Sequence, residues 1–324
     1  DIDGFSIVLS EEKSLREWLE TRGCKGLENI AFRGGGRLGL WLQRAVDAQS
    51  AIPAPAVSVV EEAWIFVDVD PKRQQTADIS LAWKLLQERW KGKSSKYAPY
   101  VDFLWNAHVH SHPFYWKEEE VRWLTASFEA YQAVVEQRDT MEKRARSLLV
   151  KASTSSKVPA ALRRDRKTLE SDIRRAVTLV ETRALVVNAP NPEVRDRAAL
   201  IPVVDMMAHD GAGKQYFVAA DTSEEGDSSW GPYVIAALHA ADTGAEIRHR
   251  FEDVNDAGLL AKFGIVSEAT SSEAALEANT FASAKLPLAL GPGFFEGSTR
   301  SMEEAKLQLL ASRAGIDLRE SSFP

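Results

Sequence analysis

Three stretches of this chain hold residue types that could do chemistry. The first is Leu200-Ile201-Pro202-Val203-Val204-Asp205-Met206-Met207-Ala208-His209-Asp210, an apolar run that ends in polar side chains. Such a run suits a buried strand or short turn that delivers a polar edge to a cleft. The second is Asn106-Ala107-His108-Val109-His110-Ser111-His112. On a strand, the alternation would put three imidazoles on one face, where they could share zinc. No carboxylate follows closely, so an exposed polar loop is the competing and favoured reading, and no metal is expected. The third is Arg33-Gly34-Gly35-Gly36-Arg37-Leu38-Gly39-Leu40-Trp41-Leu42, whose glycines let the backbone turn tightly and approach a ligand. It fails as a dinucleotide fingerprint, because no long helix follows at the needed spacing. A plain hairpin turn explains it about as well. Gly211-Ala212-Gly213-Lys214 lacks the glycine spacing and the following Ser or Thr of a phosphate loop. Cys24 lies in a turn-like stretch and has little support as a nucleophile, and His239 and His249 read as structural or exposed.

The elements that must position these residues follow from hydrophobic period and punctuation. Residues 12–21 read as a short helix. Ala56–Val60 and Trp64–Val67 read as strands, punctuated by Pro53 and Pro55. Leu81, Leu85, Leu86 and Trp90 form one apolar helix face. Tyr97-Ala98-Pro99-Tyr100 reads as a loop before a short helix through Leu104. Residues 117–150 read as charged and helix-rich. Pro159 opens a helix expected to run to about Leu185, and Val234–Leu238 reads as a buried strand. Asp221–Gly231 is acidic and reads as a mobile loop. Ser301–Ala314 reads as an amphipathic helix with a capping box, closed by Gly315. Strands, inserted helices, strands and a terminal helix make an α+β order rather than a doubly wound sheet.

Whole-chain properties narrow the function classes. A length of 324 residues allows one large domain or two smaller ones. No apolar stretch reaches about 18 residues, so no membrane span is expected. A net charge of -7 disfavours a broad nucleic-acid face. Arg163-Arg164-Asp165-Arg166-Lys167 reads as a solvated helix face, with a partner-binding patch as the alternative. The single cysteine rules out an internal disulfide and points to a reducing intracellular compartment. The chain starts at Asp1 without an initiator Met or a signal peptide, which reads as a processed or trimmed form.

Four of these segments, in order, resemble SET-domain protein methyltransferases, especially those like the RuBisCO large-subunit lysine methyltransferase. They are Gly36–Leu42; Lys96–Leu104 with Phe114–Val121; Val180–Leu185; and Leu200–Asp210 with Gly244–Ile247 through Phe263-Gly264-Ile265. The resemblance implies an α+β SET-domain fold of small curved β-sheets with a threaded C-terminal segment. It divides the chain into an N-terminal helical segment (1–29), a first SET part (30–75), a helical insert (76–185), a SET core (186–270) and the start of a helical substrate-binding-like domain (271–324).

The implied activity is S-adenosylmethionine-dependent methylation of a protein lysine. By the same resemblance, Gly39, Leu40, Trp41, Ala208, His209 and Ile265 would meet the cofactor. Thr182, Arg183, Leu185 and Phe263 would meet the substrate. Phe251 stands at the catalytic tyrosine position, Ala208 at an asparagine, Phe263 at a further tyrosine, and Ile265 at an aromatic residue beneath the adenine. A neutral lysine amine is needed, and deprotonation at pH 7 costs about 4.6 kcal/mol. Loss of a preorganised hydroxyl costs on the order of 10²–10³ in rate. Those departures keep a second reading open: a SET-fold structural subunit of a larger protein complex with little or no catalysis. By analogy, the chloroplast transcription machinery would be its setting.

Overall fold

The computed structural model describes residues 2–33, 39–42, 55–70, 76–107, 109–189, 195–209, 216–220, 233–237, 244, 246–249, 251 and 254–266. In chain order the elements are α1 (Ile2–Thr21), β1 (Ile30–Arg33), β2 (Gly39–Leu42), β3 (Pro55–Val59), β4 (Ile65–Asp68), α2 (Ala77–Lys91), α3 (Ala98–Trp105), α4 (Glu118–Arg122), α5 (Phe128–Thr154), α6 (Ala160–Arg164), α7 (Arg166–Arg183), β5 (Leu185–Val187), β6 (Arg197–Leu200), β7 (Ala208–His209), β8 (Tyr216–Ala220), β9 (Tyr233–Ala237), β10 (Glu246–His249) and α8 (Asp256–Phe263).

Among the described residues the strands form three small sheets, ordered β1-β2-β10-β7, β3-β9-β8 and β4-β6-β5. The first mixes directions: β10 runs antiparallel to β2 and parallel to β7. The third is antiparallel, with Ile65 opposite Leu200 and Leu185 opposite Ala199. Helices α2 to α7 all lie between β4 and β5 in sequence, so they leave this sheet and return to it.

The buried face of each helix explains its position. Leu81, Leu85 and Leu86 of α2 have no exposed surface, and neither do Leu15 and Leu19 of α1. Trp18 stacks on Tyr100 at 6.3 Å and meets the edge of Tyr97 at 6.4 Å, while its indole N–H donates to the Lys96 carbonyl. These contacts join α1 to α3. Offset and edge-on aromatic pairs of this kind add to the area they bury.

Several elements differ from the sequence expectation. The first helix is longer than 12–21, beginning at Ile2. Helix α3 already includes Ala98-Pro99-Tyr100; Pro99 sits in the first turn, where a missing N–H breaks no helical bond. The helix opened by Pro159 breaks after five residues. The Asp165 side chain accepts from the Thr168 N–H at 3.1 Å and starts α7 afresh, and α7 ends at Arg183. The run 200–210 is not one strand. After β6 ends at Leu200, Val203 adopts φ 75° and ψ -53°, a rare and strained γ-turn geometry for a β-branched residue. A short 3-10 turn over Val204–Met206 then leads into β7. The expectations for 34–38, 221–231 and the segment after 266 lie outside the described residues.

Candidate functional site

The parallel pairing of β7 with β10 builds the centre of the site. It sets Ala208 opposite Arg248 and His209 opposite His249, and Phe251 follows two residues later. His209 is buried, and its Nδ1 accepts from the Phe251 backbone N–H at 3.3 Å. The Phe251 ring packs at 5.2 Å against the His209 ring and at 4.9 Å against Phe263. Phe263 arrives from the end of α8. Asn255 caps the start of that helix by accepting from the Gly258 N–H. Gly264 closes it in the left-handed region at φ 69°. An added Cβ at Gly264 would lie 3.0 Å from the His112 Cα, so a side chain there would crowd the His112 backbone.

His112 anchors the outer side of that turn. Its ring is buried; Nε2 lies 3.0 Å from the Lys262 carbonyl and Nδ1 accepts from the Phe114 N–H. Burial pushes its pKa down, partly offset by the Lys262 carbonyl. His112 is therefore a structural pin rather than part of an exposed loop. His110 is exposed in a turn, so the two do not share a strand face, and His108 lies outside the described residues. Among the described residues no group of three His, Cys, Asp or Glu side chains could hold a metal.

A cleft of about 440 Å³ opens beside the aromatic pair. One wall is the end of α7 and the start of β5, including Thr182, Arg183 and Leu185. Val204 and Asp205 face it, and Phe251, Lys262 and Phe263 complete the aromatic end. Lys262 sets its Nζ 5.4 Å from the Phe263 ring centre. Asp78, Arg144 and Glu181 line the same space.

Asp205 is the most perturbed acid of the cleft. Its Oδ2 accepts from the Tyr100 hydroxyl at 2.8 Å, and its backbone carbonyl accepts from Arg183 Nη1 at 2.6 Å. Burial pushes its carboxyl up to about 6, opposed by the charge of Arg183 and the Tyr100 hydrogen bond. Asp205 Oδ1 and Arg183 Nε are buried without a hydrogen-bond partner. Arg183 thus spends one guanidinium nitrogen on the chain itself. Thr182 also bonds internally, donating to the Thr178 carbonyl.

The structure gathers Thr182, Arg183, Leu185, Phe251 and Phe263 around one cleft. Ala208 and His209 lie behind its aromatic end on β7. Gly39, Leu40 and Trp41 lie on β2, across β10 from them. Leu40 is fully buried and paired in the ladder with Phe32 and Ile247. Ile265 follows Phe263 by two residues, is half-buried and does not line the cleft. Sequence reading missed Asp78, Arg144 and Glu181, whose three helices show no shared local pattern. It also missed Asp205, which one signal marks: a carboxylate inside an otherwise apolar run. Cys24 is buried, and burial raises its thiol pKa, which disfavours the nucleophilic thiolate.

No protein-family model matches the chain, and no curated protein sequence matches it. Solved structures do match. A crystal structure of the SET domain of LSMT bound to lysine and AdoHcy superposes with a TM-score of 0.59 at 15% identity, covering 85% of this chain and 64% of that one. A structure of Rubisco LSMT bound to sinefungin and monomethyllysine gives 0.56 at 15% identity, covering 85% and 63%. Rubisco LSMT bound to AdoMet gives 0.56 at 14% identity with the same coverage. The chain spans slightly less than two thirds of the length of these structures. The likeness shows that the chain has the SET-domain fold.

Proposed function

We propose that the chain is an S-adenosylmethionine-dependent protein-lysine N-methyltransferase. The observation that carries this reading is the convergence of Thr182, Arg183, Leu185, Phe251 and Phe263 on one cleft of a SET fold. Structures sharing the fold hold lysine, monomethyllysine, AdoMet and AdoHcy, and the same groups are proposed here.

The donor set fits the cofactor. Among the described residues β7 is an edge strand, so one row of Ala208–His209 backbone groups points away from β10. Such a row gives a nucleoside both donors and acceptors. Gly39 opens β2 two strands away. Ala208 adds no side-chain hydrogen bond, so the backbone carries the recognition. When bound, S-adenosylmethionine supplies an electrophilic methyl group on a sulfonium.

The chain supplies orientation and desolvation. Phe251 and Phe263 form apolar walls for the aliphatic stem of a lysine, holding its amine in one line of approach. Phe251 contributes no hydroxyl, so one orienting hydrogen bond is missing.

That missing hydroxyl and the Ala208 methyl favour a second reading, a SET-fold structural subunit of a protein complex. Calorimetric titration of the purified chain with S-adenosylmethionine separates the two. Micromolar binding supports the enzyme. No binding at millimolar cofactor by folded protein overturns it and leaves the subunit.

A further inference from the structure

We propose that two exposed rings where α4 meets α5, Trp123 and Phe128, are the docking site for a segment of this same chain, Ser301–Ala314, bound as a helix. The inference does not depend on the methyltransferase reading.

Trp123 is 78% exposed and Phe128 70%. They are the aromatic members of the large apolar side chains that stand exposed among the described residues. Trp123 opens the 3-10 turn that ends at Ala126, and Phe128 opens α5. The same junction carries a small core apart from the main one: Val121, Val134 and Ala261, with Trp116, Leu124, Tyr131 and Leu260 packed against it. Two large rings left in water beside so small a core mark an interaction surface.

The lengths fit. Phe128 follows Trp123 by five residues, so their Cα atoms lie at most about 18 Å apart. Ser301–Ala314 lies beyond the described residues and has the capping box and period of an amphipathic helix. Its 14 residues make a helix about 21 Å long, enough to cover both rings. The reach also fits. Asn255, which caps α8, donates to Glu129, the residue after Phe128. Helix α8 rises about 12 Å over its eight residues, and Val266 follows three residues later. The 34 residues 267–300 then span on the order of 100 Å when extended.

The chemistry is complementary. On a helical period Lys306 and Arg313 fall inside the apolar face of the segment, between Met302 with Leu309 and Leu310. A face with cations in its middle cannot close on a plain aliphatic core. It suits aromatic rings bordered by carboxylates. From Lys117 to Glu129 the junction has four carboxylates and two cations, and Glu118, Glu119 and Glu129 are exposed. The chain uses this pairing elsewhere: Arg22 lies over Trp18, Arg89 over Trp105 and Lys151 over Trp83.

The test is bismaleimide cross-linking of the full chain at low concentration, read by peptide mass spectrometry. Cys24 is buried and stays in place. One variant pairs Thr125→Cys, between the rings, with Ala305→Cys. The control pairs Val150→Cys with Ala305→Cys; Val150 is 69% exposed but about 33 Å along α5 from Phe128. The first pair is expected to give about 10-fold more cross-link within one copy. Trp123→Ser with Phe128→Ser, or Lys306→Glu with Arg313→Glu, should lower that yield to the control. Equal yields from the two cysteine pairs overturn the proposal. Cross-links that join two copies overturn it as well and assign the rings to a second copy. A yield that survives both sets of substitutions overturns it too.

Discussion

Tyr100 and Asp205 lie 105 residues apart in sequence, yet the phenol of one donates to the carboxylate of the other at 2.8 Å. The bond ties α3, in the inserted helices, to the turn that enters β7. It also places an ionisable group in the cleft wall, held between a neutral donor and the Arg183 guanidinium.

This arrangement gives stability a pH dependence of definite sign. The folded chain holds the Asp205 proton up to about pH 6, whereas the unfolded carboxyl releases it near 3.8. Between those values the folded state binds more protons. The contribution is complete below about pH 4 and is lost as pH rises through 6, amounting to about 3 kcal/mol. Asp205→Asn removes the titration and can still accept from Tyr100. Urea unfolding from pH 4 to 7 should show the variant gaining stability relative to the parent as pH rises. Parallel curves would refute a titrating Asp205.

Restoring the hydroxyl at Phe251 tests how much the ring alone can do. Phe251→Tyr keeps the packing surface towards His209 and Phe263 and adds one hydrogen-bonding group at the cleft. Transfer of labelled methyl from S-adenosylmethionine to a lysine peptide should rise about 10²–10³-fold in single turnover. An unchanged rate, with fold and cofactor binding intact, would mean that the hydroxyl is not what limits transfer.

Gly264 should resist substitution. Its φ of 69° strains any L side chain, and an added Cβ would crowd the His112 Cα at 3.0 Å. Gly264→Ala is expected to cost about 1–3 kcal/mol. The loss should appear in chemical denaturation, together with increased hydrogen exchange at the end of α8. A variant as stable as the parent would show that this turn relaxes freely.

The fold was legible where local chemistry and tertiary packing agree. Val57 and Val59 lie on a strand, and Leu81, Leu85 and Leu86 on a helix face, as their spacing says. Misreadings occurred where one residue has two local meanings. Pro99 can end a loop or begin a helix, and Asp165 can sit on a helix face or cap a new one. The bend at Val203 has no sequence signal at all, because valine disfavours the conformation it adopts. Phe251 and Phe263 were found by spacing relative to a known pattern. Asp78, Arg144 and Glu181 were not, because residues on three helices become neighbours only through packing.

The β2–β10 pairing bears on the birth of the chain as well as on its finished form. Trp41 finds its partner Glu246 only after roughly 200 further residues have been made. At about 5–20 residues per second, the hairpin of β1 and β2 waits on the order of ten to forty seconds with one edge unpaired. Such an edge invites pairing with other chains. The same closure brings β7 and Phe251 into place, so the cleft cannot exist on a nascent chain. Everything through Phe263 must therefore be made before any ligand could reward folding.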